Sequence, residues 1–232
     1  MSGRDGLGLP ELARVRSRLY LLLAAGFSPP TRGEVRRLAR PGALRARRAL
    51  ARAVGVPSLD GAFGALSSCL AAWRRRDTAR VLEELKGDYH RLFVGPYHLE
   101  APPYESCYRG RGGAAMGEAA VEVLRTYRAA GLALHPDVRK PPDHIALELH
   151  FLGLLAGEEA ALRRRGSPER LGSCLRRQES FLADHLALWI APFSERVQAA
   201  DGSRFYGALA AASAAYIGTD LALVGALLEA VP

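Results

Sequence analysis

At 232 residues the chain is long enough for one large domain or two small ones, and its 49% apolar and 24% charged content is that of an ordinary soluble globular protein. The net charge of +8, from 32 Lys+Arg against 24 Asp+Glu, permits attraction to nucleic acid or an anionic membrane, but the placement of the charges argues against a dedicated patch. Arg74-Arg75-Arg76 and Arg163-Arg164-Arg165 close apolar-periodic stretches, where cations complement a helix dipole; Arg36-Arg37, Arg47-Arg48 and Arg176-Arg177 are scattered without interleaved aromatics. Cys69, Cys107 and Cys174 form neither a CxxC pair nor a Cys/His cluster, so idle thiols in a reducing compartment are expected.

Helical periodicity dominates, and no period-2 strand stands out. The first helix is predicted from Pro10 to Phe27. Arg14, Arg16 and Arg18 before LYLLLAAGF look like a signal peptide's basic and apolar regions. However, Leu12, Val15, Leu19, Leu22 and Leu23 keep helical spacing through the charged part, which makes an amphipathic helix. Helices follow around 34–54 and 60–75, separated by VGVPSLDG, and Asp77-Thr78 caps one whose face carries Val81, Leu85, Tyr89, Leu92 and Phe93.

After a loop at 95–113, residues 115–130 place Val123, Leu124 and Tyr127 on one side of a helix that ends at Gly131. A Pro-rich breaker at 135–142 precedes Asp143, set as N-cap of a helix reaching Arg165. Ser167-Pro168-Glu169 starts the next helix, with an apolar stripe that also carries Gln178 and His185, both expected to be buried and hydrogen-bonded. A short helix after Pro192 and a final one from about Ser203 follow. The sum is an all-α fold, a single helical-bundle domain over 1–232 of roughly eight to ten helices. Residues 205–231 are apolar but rich in Ala and Gly with Asp220 at the centre, a poor membrane span, so a cytoplasmic protein without stable membrane insertion is expected.

Two segments could carry chemistry. The 95–113 loop is longer than compact domains usually tolerate without a function, and its tyrosines speak against disorder. Pro102-Pro103 forbids helix there, so Tyr104 and Glu105 are presented from stiff backbone, either as a binding surface or as core plugs. In PPDHIALELHFL, His144 and Glu148 share a helix face one turn apart. That pair could bind a metal, relay a proton or receive a cationic ligand, or be an ordinary hydrogen bond at a helix start. A helical-bundle metalloenzyme using His144 and Glu148 is the alternative function this leaves open. The chain carries no nucleophile elbow, Walker loop or dinucleotide fingerprint.

Together these segments resemble the TorD/DmsD/NarJ family of redox-enzyme maturation chaperones. The similarity runs in order through LYLLLAAGF, DYHRLFVGP, APPYESCY, MG, PPDHIALELHFL, QESFLADHLALW and FYGALA; the N-terminal third beyond the first helix matches only in helical character. The resemblance implies an all-α cytoplasmic chaperone, monomeric or homodimeric, with no catalysis and no cofactor of its own. Its implied partners are the twin-arginine signal peptide and the apo-form of a molybdopterin-dependent oxidoreductase, held back from export until its cofactor is inserted; nucleic acid is not among them. The peptide-binding residues it implies are Tyr20, Leu92, Phe93, Pro103, Tyr104, Glu105, Asp143, His144 and Glu148. His150 departs from the family, many of whose members have glutamate there. Arginine binds carboxylates bidentately and stacks on aromatic faces, so Glu105 and Asp143 are expected to receive the arginines while Leu92, Phe93 and Tyr104 hold the apolar part.

Overall fold

The computed structural model describes residues 7–42, 57–95, 99–109, 117–200 and 204–231. The 43–54 part of the helix expected around 34–54, Arg47-Arg48, residues 96–98 and 110–113 of the loop, Met116 and Ser203 lie outside the described residues. Helices account for most of what is described, and no strand occurs among the described residues beyond one isolated antiparallel bridge, so the all-α expectation holds.

Helix α1 (Leu9–Gly26) has Pro10 in its first turn, where the missing N–H costs nothing. Its apolar stripe is buried against α7 (Ile145–Arg165) in the most extensive helix–helix contact of the molecule. The two backbones meet at Gly153, where an added Cβ would lie 2.9 Å from Leu21 and 3.3 Å from Tyr20. Ser17 Oγ, on α1, donates to the Gly153 carbonyl at 2.7 Å.

Helix α2 (Arg32–Leu38) is capped by Thr31, which accepts from Glu34 N–H. Helix α3 (Pro57–Trp73) starts inside the stretch expected to separate helices, because Pro57 can occupy a first turn and Gly61 is tolerated on its exposed side. Asp77 caps α4 (Thr78–Tyr89) through the N–H groups of Ala79 and Arg80, as its position predicts. Helix α5 (Ser106–Arg109) is a single turn, and α6 (Glu118–Ala129) buries Val123 and Tyr127.

Helix α7 ends at Gly166, whose φ of 66° and ψ of 53° are the left-handed values that favour glycine. Arg164 and Arg165 are exposed there, but Arg163 lies against Glu159 at 2.8 Å with its side chain 8% exposed, so only part of that triplet is a solvated helix end. Helix α8 (Pro168–Phe181) has proline at its first position, yet the Ser167 side chain makes no capping bond. It passes through one widened turn, Leu182–Leu186, into α9 (Ala187–Ala199). The break expected at Pro192 does not occur: the ring sits on the exposed side of α9 and the helix continues past it.

Helix α10 (Arg204–Glu229) is long and apolar enough to cross a membrane by length and composition. In the structure it packs against α9, α3 and α8, and its central carboxylate, Asp220, is buried in an ion pair. One hydrophobic cluster draws on every helix but the single turn of α5, with Tyr89, Phe93, Phe193, Phe205 and Tyr206 in a continuous chain of ring contacts.

Candidate functional site

The chain enters the long loop through a widened turn. Residues His90–Val94 extend α4 with a bond from Gly95 N–H to His90 O at 2.7 Å, five residues back rather than four. Leu92 and Phe93 point into the core, Phe93 against Phe27, Tyr89, Phe193 and Tyr206. The Leu92 carbonyl accepts from Ala101 N–H at 3.1 Å, which pins the loop to this turn.

Pro102 and Pro103 then run extended alongside the start of α7. Glu105 N–H donates to Asp143 O at 3.0 Å and Ile145 N–H to Pro103 O at 2.9 Å, which brackets the Tyr104–His144 bridge. Two segments some forty positions apart in the sequence thus form one wall. Tyr104, half-buried, stands edge-on to the His144 ring at 5.3 Å. Asp143 does not cap α7. Its Oδ2 accepts from Ser106 N–H at 3.0 Å and caps α5, while His144 caps α7 by accepting from Ala146 N–H through Nδ1 at 3.0 Å.

Behind this wall lie three carboxyl groups. Glu105, Asp143 and Glu148 are fully buried. Glu105 contacts the guanidinium of Arg109 and lies 3.0 Å from His185 Nδ1. Glu148 Oε2 accepts from Trp189 Nε1 at 3.2 Å, and Tyr127 OH donates to Pro142 O at 3.0 Å beneath the breaker. Asp143 Oδ1, Ser106 Oγ and Glu148 Oε1 are buried with no hydrogen-bond donor or acceptor paired to them. Native proteins leave few such atoms, so the cluster has capacity for a further polar group.

Residues 56–195 match the family model described as "Nitrate reductase delta subunit". The chain belongs to this family. Among its relatives, the chaperone protein TorD of Vibrio cholerae is 29% identical over 163 residues, covering 70% of this chain and 71% of that protein. TorD of Aliivibrio fischeri is 26% identical and spans 89% of this chain and 93% of its own. A crystal structure described as a redox enzyme maturation protein, from Archaeoglobus fulgidus, covers 94% of this chain and 96% of that one with a TM-score of 0.52 at 20% identity, which is a likeness of fold. The TorD-like membership that the ordered segments indicated is therefore shown, and these relatives support a chaperone role.

The electrostatics of this cluster follow from burial. Glu148 is pushed well above the carboxylate range by loss of water, then by the neighbouring Glu105 and Asp143 charges. Its protonated form is therefore favoured above the usual carboxylate range. His144 is held neutral by burial and by Lys140. Its Nδ1 is the cap acceptor, and its Nε2 faces Lys140 Nζ at 3.2 Å; burial brings that ammonium down to about 8. The described residues hold no group of three or more His, Cys, Asp or Glu placed for a metal.

Of the sequence-derived site residues, Pro103, Tyr104, Glu105, Asp143, His144 and Glu148 come together. Leu92 and Phe93 support the wall from the core side. Tyr20 stands apart: it is fully buried and donates to Asp220 Oδ2 at 2.6 Å. There it belongs to a closed ion cluster in which Arg16 bonds Asp220 at 2.6 and 2.9 Å, Glu159 at 2.5 Å and Gln178 at 2.7 Å. His150 is exposed. Sequence reasoning missed Arg109 and the pairing of His185 with Glu105; the i, i+4 spacing of Glu105 and Arg109 was the available signal for the first.

Proposed function

We propose that this chain is a cytoplasmic chaperone that grips the twin-arginine signal peptide of a molybdopterin-containing oxidoreductase and delays its export until the cofactor is in place. The observation that carries the reading is the paired wall of 103–105 and 143–145, with Tyr104 half-exposed in front of three buried carboxyl groups. A guanidinium laid on Tyr104 can stack on the ring while its N–H groups reach towards Glu105 and Asp143. An apolar peptide segment fits beside the aromatic ring in helix-in-groove fashion. With Leu92 and Phe93 in the core, their part is to fix the wall rather than to touch the peptide.

The carboxyl groups lie below the surface, so contact with Glu105 or Asp143 requires the loop to admit the peptide. The net charge of +8 gives no long-range attraction for a basic peptide, so recognition is local. Fluorescence anisotropy with a labelled synthetic peptide, two adjacent arginines followed by an apolar helix-forming stretch, tests the reading. Tyr104→Ala and Glu105→Gln should each weaken binding by about tenfold while leaving thermal unfolding cooperative. Unchanged affinity in both variants would falsify the assignment of the site.

A further inference from the structure

Glu105 has no exposed surface, and of its ion-pair partners among the described residues Arg109 reaches solvent more: the Arg109 side chain is 30% exposed and that of His185 7%. Asp143 adds its backbone carbonyl to Glu105 N–H and is itself fully buried. The Arg109 guanidinium is therefore the partly exposed partner of the Glu105 carboxylate among the described residues. That guanidinium is the one ion-pair partner of Glu105 supplied by Lys or Arg among the described residues.

Arg109 ends the single turn of α5, and Glu122 on α6 lies 3.7 Å from the same nitrogen with its side chain 53% exposed. A second acceptor thus stands beside the first, outside the buried cluster. Arg109 can leave Glu105 for Glu122 by side-chain rotation, with the backbone of α5 in place.

We infer that Arg109 is an internal stand-in for the partner's arginine: it occupies the guanidinium seat on Glu105, and an incoming arginine displaces it towards Glu122. The inference rests on the peptide-binding reading above and adds to it a built-in competitor. Its chemical consequence is an exchange of like for like. The carboxylate loses one planar fork of donors and gains another, so the paired arginines gain less than they would from an unoccupied Glu105, whereas a group without that fork cannot complete the exchange.

The test measures three synthetic peptides that differ only in their paired residues, Arg-Arg, Lys-Lys or Gln-Gln, against the full chain and its variants. Removing the competitor with Arg109→Ala should tighten the Arg-Arg peptide by about fivefold, the scale of a partly exposed ion pair, and leave the Gln-Gln peptide unchanged. Arg109→Lys, which keeps a cation and guards against loss of folding in the alanine variant, should fall between wild type and Arg109→Ala. If the Arg-Arg to Gln-Gln ratio stays constant or falls in both variants, while Glu105→Gln still abolishes it, the stand-in role is overturned and the peptide site stands. Equal binding of all three peptides by every variant overturns both.

Discussion

Glu148 shows how one buried group turns into an observable. In the folded chain its carboxyl stays protonated well above the ordinary 4.5, because burial and the neighbouring acids Glu105 and Asp143 oppose ionisation. In the unfolded chain it ionises near 4.5. Between those values the native state holds the extra proton, so stability falls as pH rises from about 4.5 towards the raised value of the folded state. Glu148→Gln keeps the oxygen that accepts from Trp189 and removes the titration. Thermal melts should show the variant gaining stability over wild type from pH 5 to pH 8, whereas a constant difference across that range would place the Glu148 charge elsewhere. The Arg16 cluster is the contrasting case. Its two acids are matched by Arg16 and Arg163, and Tyr20, expected at the peptide site, is held there by Asp220. Periodicity placed Arg16 in the charged part of an amphipathic helix, since one window cannot see Asp220 and Glu159 arriving from two other helices.

At the scale of elements, the site depends on a bridge between an extended Pro-rich segment and a helix start. Asp143 holds that junction by capping Ser106 N–H rather than its own helix. Asp143→Ala should cost about 1 kcal/mol, the usual cost of a lost cap, and speed hydrogen exchange at the amides of Glu105, Ser106 and Ile145 before any other part of α7 is affected. Uniform acceleration along α7 would instead mean that Asp143 caps that helix. Most helices were legible in the sequence, because apolar stripes and punctuation by Asp77, Gly131, Gly166 and Pro168 act within a few residues. The two widened turns were not. The one at Leu182–Leu186 shifts the stripe by a residue and carries the chain into α9 without a break, so Pro192 read as a boundary. The partner of the 103–105 segment was legible only as a shared chemical type; the hydrogen bonds that join it to 143–145 are set by the packing of α4, α6 and α7.

For the whole molecule, one core drawn from helices along the chain leaves the loop at 99–109 outside the longer helices, with only the single turn of α5 within it. Its support from the widened turn below and the α7 start beside it gives a surface with fixed backbone and exchangeable side-chain contacts, which suits a chaperone that must bind and then release. The central claim is that a twin-arginine peptide lies on Tyr104. It is tested most directly by replacing Tyr104 with a photo-crosslinking phenylalanine analogue, placing the same analogue at the exposed Val121 of α6 as control, and mapping the adducts of the Arg-Arg peptide by mass spectrometry. Adducts within a residue or two of the paired arginines at position 104, and none at 121, are the predicted result. No adduct at 104, or equal labelling at both positions, would contradict the account.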